Sequence, residues 1–224
     1  MMNNPAALID HTLLKPDMTE AQVLSLCEEA VEHGFASVCL PPAFVAVAVD
    51  RLYGSAVRVG SVVGFPCGYN SLRQKITETA ELVALGAEEI DMVISIGNLL
   101  ARRFDLVEAE IAQVVLAAEQ APVKVIIECC YLDQELKQRA TELVVNAGAA
   151  YVKTSTGFAP GGATVADVAL LVAVAAGRIG VKAAGGIRDL DSCQQMIVAG
   201  ATRIGSSAGV KIVTQWYERQ DVVG

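Results

Sequence analysis

Three observations predict that the chain, residues 1–224, folds as an α/β protein with one domain, a (β/α)8 TIM barrel. Short apolar strands and amphipathic helices alternate from one end to the other. Eight such units fit into 224 residues, within the roughly 200 to 250 residues over which α/β barrels form a single unit. No linker, charge block or low-complexity stretch interrupts the alternation. The strands read as continuous apolar runs, as expected of a parallel sheet covered on both faces. An open doubly wound sheet is the competing architecture, but it would usually carry a G-x-G-x-x-G turn near the first strand, and none is present.

The elements follow in order. ALIDHTLL (7–14) opens as a strand. TEAQVLSLCEEAVEHG (19–34) is a helix that begins at an N-cap Thr19 and stops at Gly34. SVCLPP is the second strand and AFVAVAVDRLYG its helix. VRVGSVVGFP (57–66) leads to SLRQKITETAELVALG, capped by Ser71 and closed by Gly86. EEIDMVIS (88–95) precedes the amphipathic FDLVEAEIAQVVLAAEQ, and VKVIIE (123–128) precedes DQELKQRATELVVNAG. YVKTSTG is followed by VADVALLVAVAAG, KAAGGI by DLDSCQQMIVAGA, and RIGSSAG by VKIVTQWYER.

Composition narrows the function. Hydrophobic residues make up 53% of the chain and the net charge is −8. That is a sizeable core on an acidic protein, which argues against general binding of nucleic acid or anionic membranes. An anionic ligand must then be held locally. MMNNPAALIDHTLLKP lacks a basic n-region and a long apolar h-region, so no signal peptide is expected. VADVALLVAVAAG, the longest apolar run, has the length of a core helix and contains Asp167. The six cysteines form no C-x-x-C pair, and Cys129 and Cys130 are expected on opposite sides of a strand. Reduced thiols in a cytoplasmic protein are the expectation.

Two strands carry an oddity. Lys153 stands inside YVKTSTGF and Lys182 inside VKAAGGI, although burying an unpaired ammonium is costly. Counted along the chain, Asp91 lies on the fourth strand, Lys153 on the sixth and Lys182 on the seventh. Barrel enzymes take their catalytic groups from the C-terminal ends of strands. Two amines at like depth on adjacent strands disfavour each other's protonation, and desolvation acts in the same direction. A neutral lysine attacks a carbonyl to form a Schiff base, and Asp91 is placed to move protons. Set against this, one strand lysine is more often a snorkelling rim residue, and an Asp–Lys pair is often plain structure.

KTSTGF, AAGGI and IGSSAG close the last three strands. The glycines of these turns, with the hydroxyls of Ser206 and Ser207, are candidate phosphate ligands, because glycine lets backbone N–H groups approach an anion closely. Taken singly, each glycine is more often a tight turn. No metal is expected: the two histidines, His11 and His33, fall in different elements. His33, beside the helix stop, suits the C-terminal end of a helix dipole. His11 either faces the pocket or does not; the residues leave that open.

IDHTLLKP, EEIDMVIS, YVKTSTGF and VKAAGGIR together resemble the deoxyribose-phosphate aldolases, in order through nearly the whole chain. The resemblance implies a class I aldolase on a (β/α)8 barrel, without a cofactor, cleaving 2-deoxy-D-ribose 5-phosphate reversibly to acetaldehyde and D-glyceraldehyde 3-phosphate. It further implies Lys153 as the Schiff-base lysine, Lys182 as its tuning and proton-transferring companion, and Asp91 as the acidic proton donor and acceptor. Gly157, Gly186, Ser206 and Ser207 match phosphate-holding positions, and Asp10 and Thr12 match supporting ones. Phe158 stands where some relatives carry a lysine, with Arg188 a substitute cation. Some relatives end in a catalytic tyrosine, whereas this chain ends QDVVG and Tyr217 is not expected to take that role. Another Schiff-base lyase or transaldolase-like enzyme on a phosphosugar is the alternative, and a non-catalytic sugar-phosphate sensor a third. Partners are expected to be small phosphosugars and aldehydes and a second copy of the chain as a homodimer, with neither nucleic acid nor membrane.

Overall fold

Eight parallel strands pair in chain order, and the eighth returns to the first to close a barrel. They are β1 (Ile9–Thr12), β2 (Ser37–Leu40), β3 (Arg58–Val63), β4 (Glu89–Val93), β5 (Val123–Ile126), β6 (Tyr151–Lys153), β7 (Gly180–Ala184) and β8 (Arg203–Ser206). This computed structural model describes residues 3–223, with side chains to residue 220. The helices are α1 (Glu20–His33), α2 (Val45–Leu52), α3 (Leu72–Ala84), α4 (Ile96–Leu100), α5 (Phe104–Ala117), α6 (Gln134–Asn146), α7 (Val165–Ala175), α8 (Leu190–Val198) and α9 (Gly209–Val223).

Local signals account for the boundaries. Thr19 and Gln22 form a capping box at the start of α1, and Gly34 ends that helix in the left-handed conformation at φ 68°. Ser71 caps α3 the same way with Gln74. The five residues of α4 are too few to show a helical period, so they escape a reading based on periodicity. Cys129 and Cys130 sit in a single 3-10 turn after β5 and not on a strand. Cys129 is buried there and Cys130 exposed.

Register decides what lies where. Because side chains alternate across a strand, Ile9, Val38, Val59, Ile90, Val125, Val152, Val181 and Ile204 all face outward and join the apolar layer under the helices. Burying each such side chain fully is worth about 1.5 to 3 kcal/mol. The residues between them face the lumen. Asp91 is opposite Lys124 on β5, and Lys153 is opposite Lys182 on β7. The lumen of most such barrels is filled by branched apolar side chains. Here its lower and middle part is charged.

Candidate active site

Asp10 from β1, Glu89 and Asp91 from β4, Lys124 from β5, Lys153 from β6 and Lys182 from β7 are all buried, and Arg203 from β8 nearly so. Asp91 is the hub. Its Oδ2 accepts from Lys153 Nζ at 2.7 Å and from Lys182 Nζ at 2.6 Å, and its Oδ1 accepts from Lys124 Nζ at 2.8 Å. Lys124 also lies 2.8 Å from Glu89 Oε2 and 3.6 Å from Asp10 Oδ2. Lys182 pairs with Asp10 as well. Arg203 donates to Asp10 through Nε at 2.5 Å and to Glu89 through its terminal nitrogen. Ser37 adds a 2.8 Å hydrogen bond to Asp10. Gly205 makes room for this packing, since a Cβ there would stand 3.2 Å from Lys182 Cε and 2.9 Å from the Ala184 Cβ.

The three lysines are not equivalent. Burial pushes the pKa of Lys153 down, Asp91 pulls it back up, Lys182 pushes it down again, and the net result is a depressed value. Burial acts on Lys182 in the same way, but Asp10 and Asp91 together outweigh it and raise its pKa. Mutual depression of both amines, expected from the sequence, therefore fails for Lys182: two carboxylates hold its proton. Lys124 is raised too, burial being overcome by Asp91, Asp10 and Glu89. Burial would raise both carboxyls, yet their cationic neighbours bring Asp10 down to about 2 and Asp91 well below the usual range. Asp91 is thus a permanent carboxylate at neutral pH.

The loops after β6, β7 and β8 lie at the same end. Gly157 and Gly186 have φ of 85° and 81°, a left-handed backbone natural to glycine. A Cβ on Gly186 would meet nothing within 4 Å, so its backbone borders open space. Ser207 is exposed at the mouth. Ser206 is not free in the way expected: its hydroxyl donates to Ile187 O at 2.7 Å and accepts from Ala208 N at 3.0 Å, so it shapes the loop. Arg188 is exposed in the neighbouring loop.

Other sequence candidates separate. His11 faces outward, with Nε2 2.6 Å from Glu29 of α1, and takes no place in the lumen. His33 ends α1 and stacks near Phe35 at 5.6 Å. Thr12 donates to the carbonyl of Asp10 at 2.9 Å. Tyr217 accepts from Asn4 at 3.3 Å on α9, and the side chains of 221–224, where QDVVG ends, lie outside the described residues. Phe158 is half exposed and meets Phe65 edge to face at 5.2 Å. A cavity of about 390 Å³ opens beside it, walled by Pro66, Cys67, Ile96, Glu128, Tyr131 and Phe158 among others, and the lysines do not line it.

Lys124, Glu89, Arg203 and Glu128 were missed by the sequence reading. Lys124 in VKVIIE carries the same signal as Lys153, a cation inside an apolar strand. Glu89 lies two residues before Asp91 and so shares its face. Glu128 is buried in the loop after β5 and holds the Thr156 N–H and hydroxyl; burial raises its pKa.

With this geometry the comparisons are direct. Residues 6–215 match the family model described as DeoC/LacD family aldolase. The chain belongs to that family. It is 53% identical over 221 residues to the deoxyribose-phosphate aldolase of Syntrophotalea carbinolica, covering 99% of this chain and 100% of that one. Among solved structures, the aldolase QR15 superposes with a TM-score of 0.95 at 38% identity, covering all of both chains. The tetrameric deoxyribose phosphate aldolase of Aeropyrum pernix gives 0.89 at 34%, covering 96% of this chain and 91% of that one. For a DeoC/LacD family aldolase, a buried lysine with a lowered pKa at the end of a barrel strand is the chemically telling feature.

Proposed function

We propose that the protein is a deoxyribose-phosphate aldolase, a carbon–carbon lyase. It reversibly cleaves 2-deoxy-D-ribose 5-phosphate to acetaldehyde and D-glyceraldehyde 3-phosphate through a Schiff base on Lys153. The observation that carries this reading is the single Asp91 oxygen shared by Lys153 and Lys182, 2.7 and 2.6 Å away. Relatives more than 50% identical bear that name.

In this mechanism neutral Lys153 Nζ adds to the C1 aldehyde of the open-chain sugar and water leaves, giving an iminium. The iminium accepts the electron pair of the C2–C3 bond as the C3 hydroxyl loses its proton and that carbon becomes the aldehyde of glyceraldehyde 3-phosphate. Protonation of the enamine at C2 and hydrolysis then release acetaldehyde and restore the amine. Lys182, kept as an ammonium, is the proton-bearing group, and Asp91 holds it in place as a fixed carboxylate. This refines the role expected of Asp91, whose carboxyl stays ionised beside the Lys124 and Lys182 ammonium groups and the Lys153 amine. Gly157 and Gly186 offer backbone N–H groups to the phosphate, Ser207 a hydroxyl, and Ser206 orders the loop. No metal or other cofactor enters the proposed steps.

Self-association, taken as a dimer, belongs to the same reading and is supported by the tetrameric relative. Cytoplasmic residence does too, supported by six free thiols. No described helix is long and apolar enough to cross a membrane.

The deciding experiment is borohydride reduction with acetaldehyde, followed by peptide mass mapping. A stable adduct on Lys153 is expected, absent from Lys153→Leu, with turnover unaffected by chelators. An adduct elsewhere, or none, overturns the assignment.

A further inference from the structure

We propose that Glu89 and Arg203 are positioning residues which set the charge of Lys153 from a distance, as members of a closed, charge-matched cage inside the barrel. The cage contains three carboxylates, Asp10, Glu89 and Asp91, and four cations, Lys124, Lys153, Lys182 and Arg203. Three negative charges match three positive ones, so one cation is surplus. The contacts identify it. Lys124 reaches Asp10, Glu89 and Asp91. Lys182 reaches two carboxylates, Asp10 and Asp91, and Arg203 reaches Asp10 and Glu89. Lys153 reaches only Asp91, which it shares with both other lysines. A guanidinium does not deprotonate in proteins, so the amine with the fewest counter-charges gives up its proton.

The remaining groups around Lys153 leave this count intact. β3 presents Gly60 and Val62 to the lumen, in register with Glu89 and Asp91. β2 presents Cys39, whose thiol burial pushes up to about 11, so it stays neutral. Arg58 approaches Glu89 at 3.4 Å, but its side chain is 55% exposed and solvent screens it. Glu128 feels the Lys153 charge through space but makes no ion pair with it, and Thr156 holds its carboxyl, so it stands outside the ion-paired set.

This inference rests on the Lys153 assignment above and extends it to residues that make no ion pair with Lys153. Removing one cage charge shifts the balance that Lys153 answers to, and the sign of the shift follows the sign of the charge removed. The test is the pH dependence of borohydride trapping of acetaldehyde at Lys153, for the wild type, Arg203→Met, Glu89→Gln, the double variant and Arg203→Lys. Folding of each is checked by circular dichroism. Arg203→Met is expected to move the acidic limb up by about one pH unit, a roughly tenfold smaller fraction of free amine below the limb. Glu89→Gln is expected to move it down. The double variant removes one charge of each sign and returns the limb to its wild-type position, and Arg203→Lys leaves it there. Structural damage cannot produce opposite shifts that cancel. If Arg203→Met does not fold, Glu89→Gln and the double variant decide. Unmoved limbs, shifts of like sign, or a double variant displaced further than either single one overturn the cage. Absence of any Lys153 adduct in the wild type overturns the aldolase reading itself.

Discussion

A carboxylate at position 91 that accepts from two ammonium groups and the Lys153 amine has no proton of its own to give, so the proposed mechanism divides condensation and proton transfer between two residues. In that mechanism Lys153 condenses with the aldehyde and Lys182 carries the proton. Asp91→Asn should therefore leave acetaldehyde trapping on Lys153 intact, because removing a negative neighbour makes that amine no easier to protonate. Cleavage of deoxyribose 5-phosphate should fall by about 10²- to 10⁴-fold, the usual range for losing assisted proton transfer. Trapping yield measured beside kcat checks the separation, and parallel loss of both would return Asp91 to the condensation step. Lys153, Lys182 and Asp91 were legible because a charge inside an apolar strand is a local anomaly. Lys124 showed the same anomaly, and its meaning emerged only with the register that sets it opposite Asp91.

At the level of elements, the loops around the site are held by a second buried ion pair. Lys75 of α3 donates to Gly68 O and Val93 O, both at 2.8 Å, and to Glu110 of α5 at 2.7 Å. Glu110 also accepts from Ser95 N at 2.8 Å. The loops after β3 and β4 are thereby tied together two residues beyond Asp91. Lys75→Met strands a buried carboxylate and two carbonyls, and should destabilise the protein by about 3 to 5 kcal/mol. Lys75→Met/Glu110→Leu should recover part of that loss, since a buried pair is often replaceable by apolar groups. Urea unfolding of both variants measures it. Lys75 was invisible in SLRQKITETAELVALG, where it reads as one more polar helix residue. Its burial depends on loops that fold over it from elsewhere. The strand and helix order, by contrast, was written in local periodicity and caps such as Thr19 and Gly34, and so was the barrel.

For the whole molecule, the charged lumen sets the response to acid. The carboxyls of Asp10 and Asp91 titrate lower in the folded state than in the unfolded chain, so their stabilising contribution is complete above about pH 4 and is lost as pH falls toward 2. For Asp10 alone that contribution is on the order of 2 kcal/mol. The Tm should hold from pH 7 to 5 and drop steeply below pH 4; a flat Tm down to pH 3 would contradict the ionised lumen. The two signs are also segregated along the chain. All three lumen carboxylates come from β1 and β4, and the four cations buried against them come from β5 to β8. Each half-barrel therefore exposes an unmatched charge when alone and finds its neutraliser in the other. Two peptides produced by cutting the connection between α5 and β5 should refuse to fold separately and reassemble on mixing, each acting as the other's obligatory counter-ion.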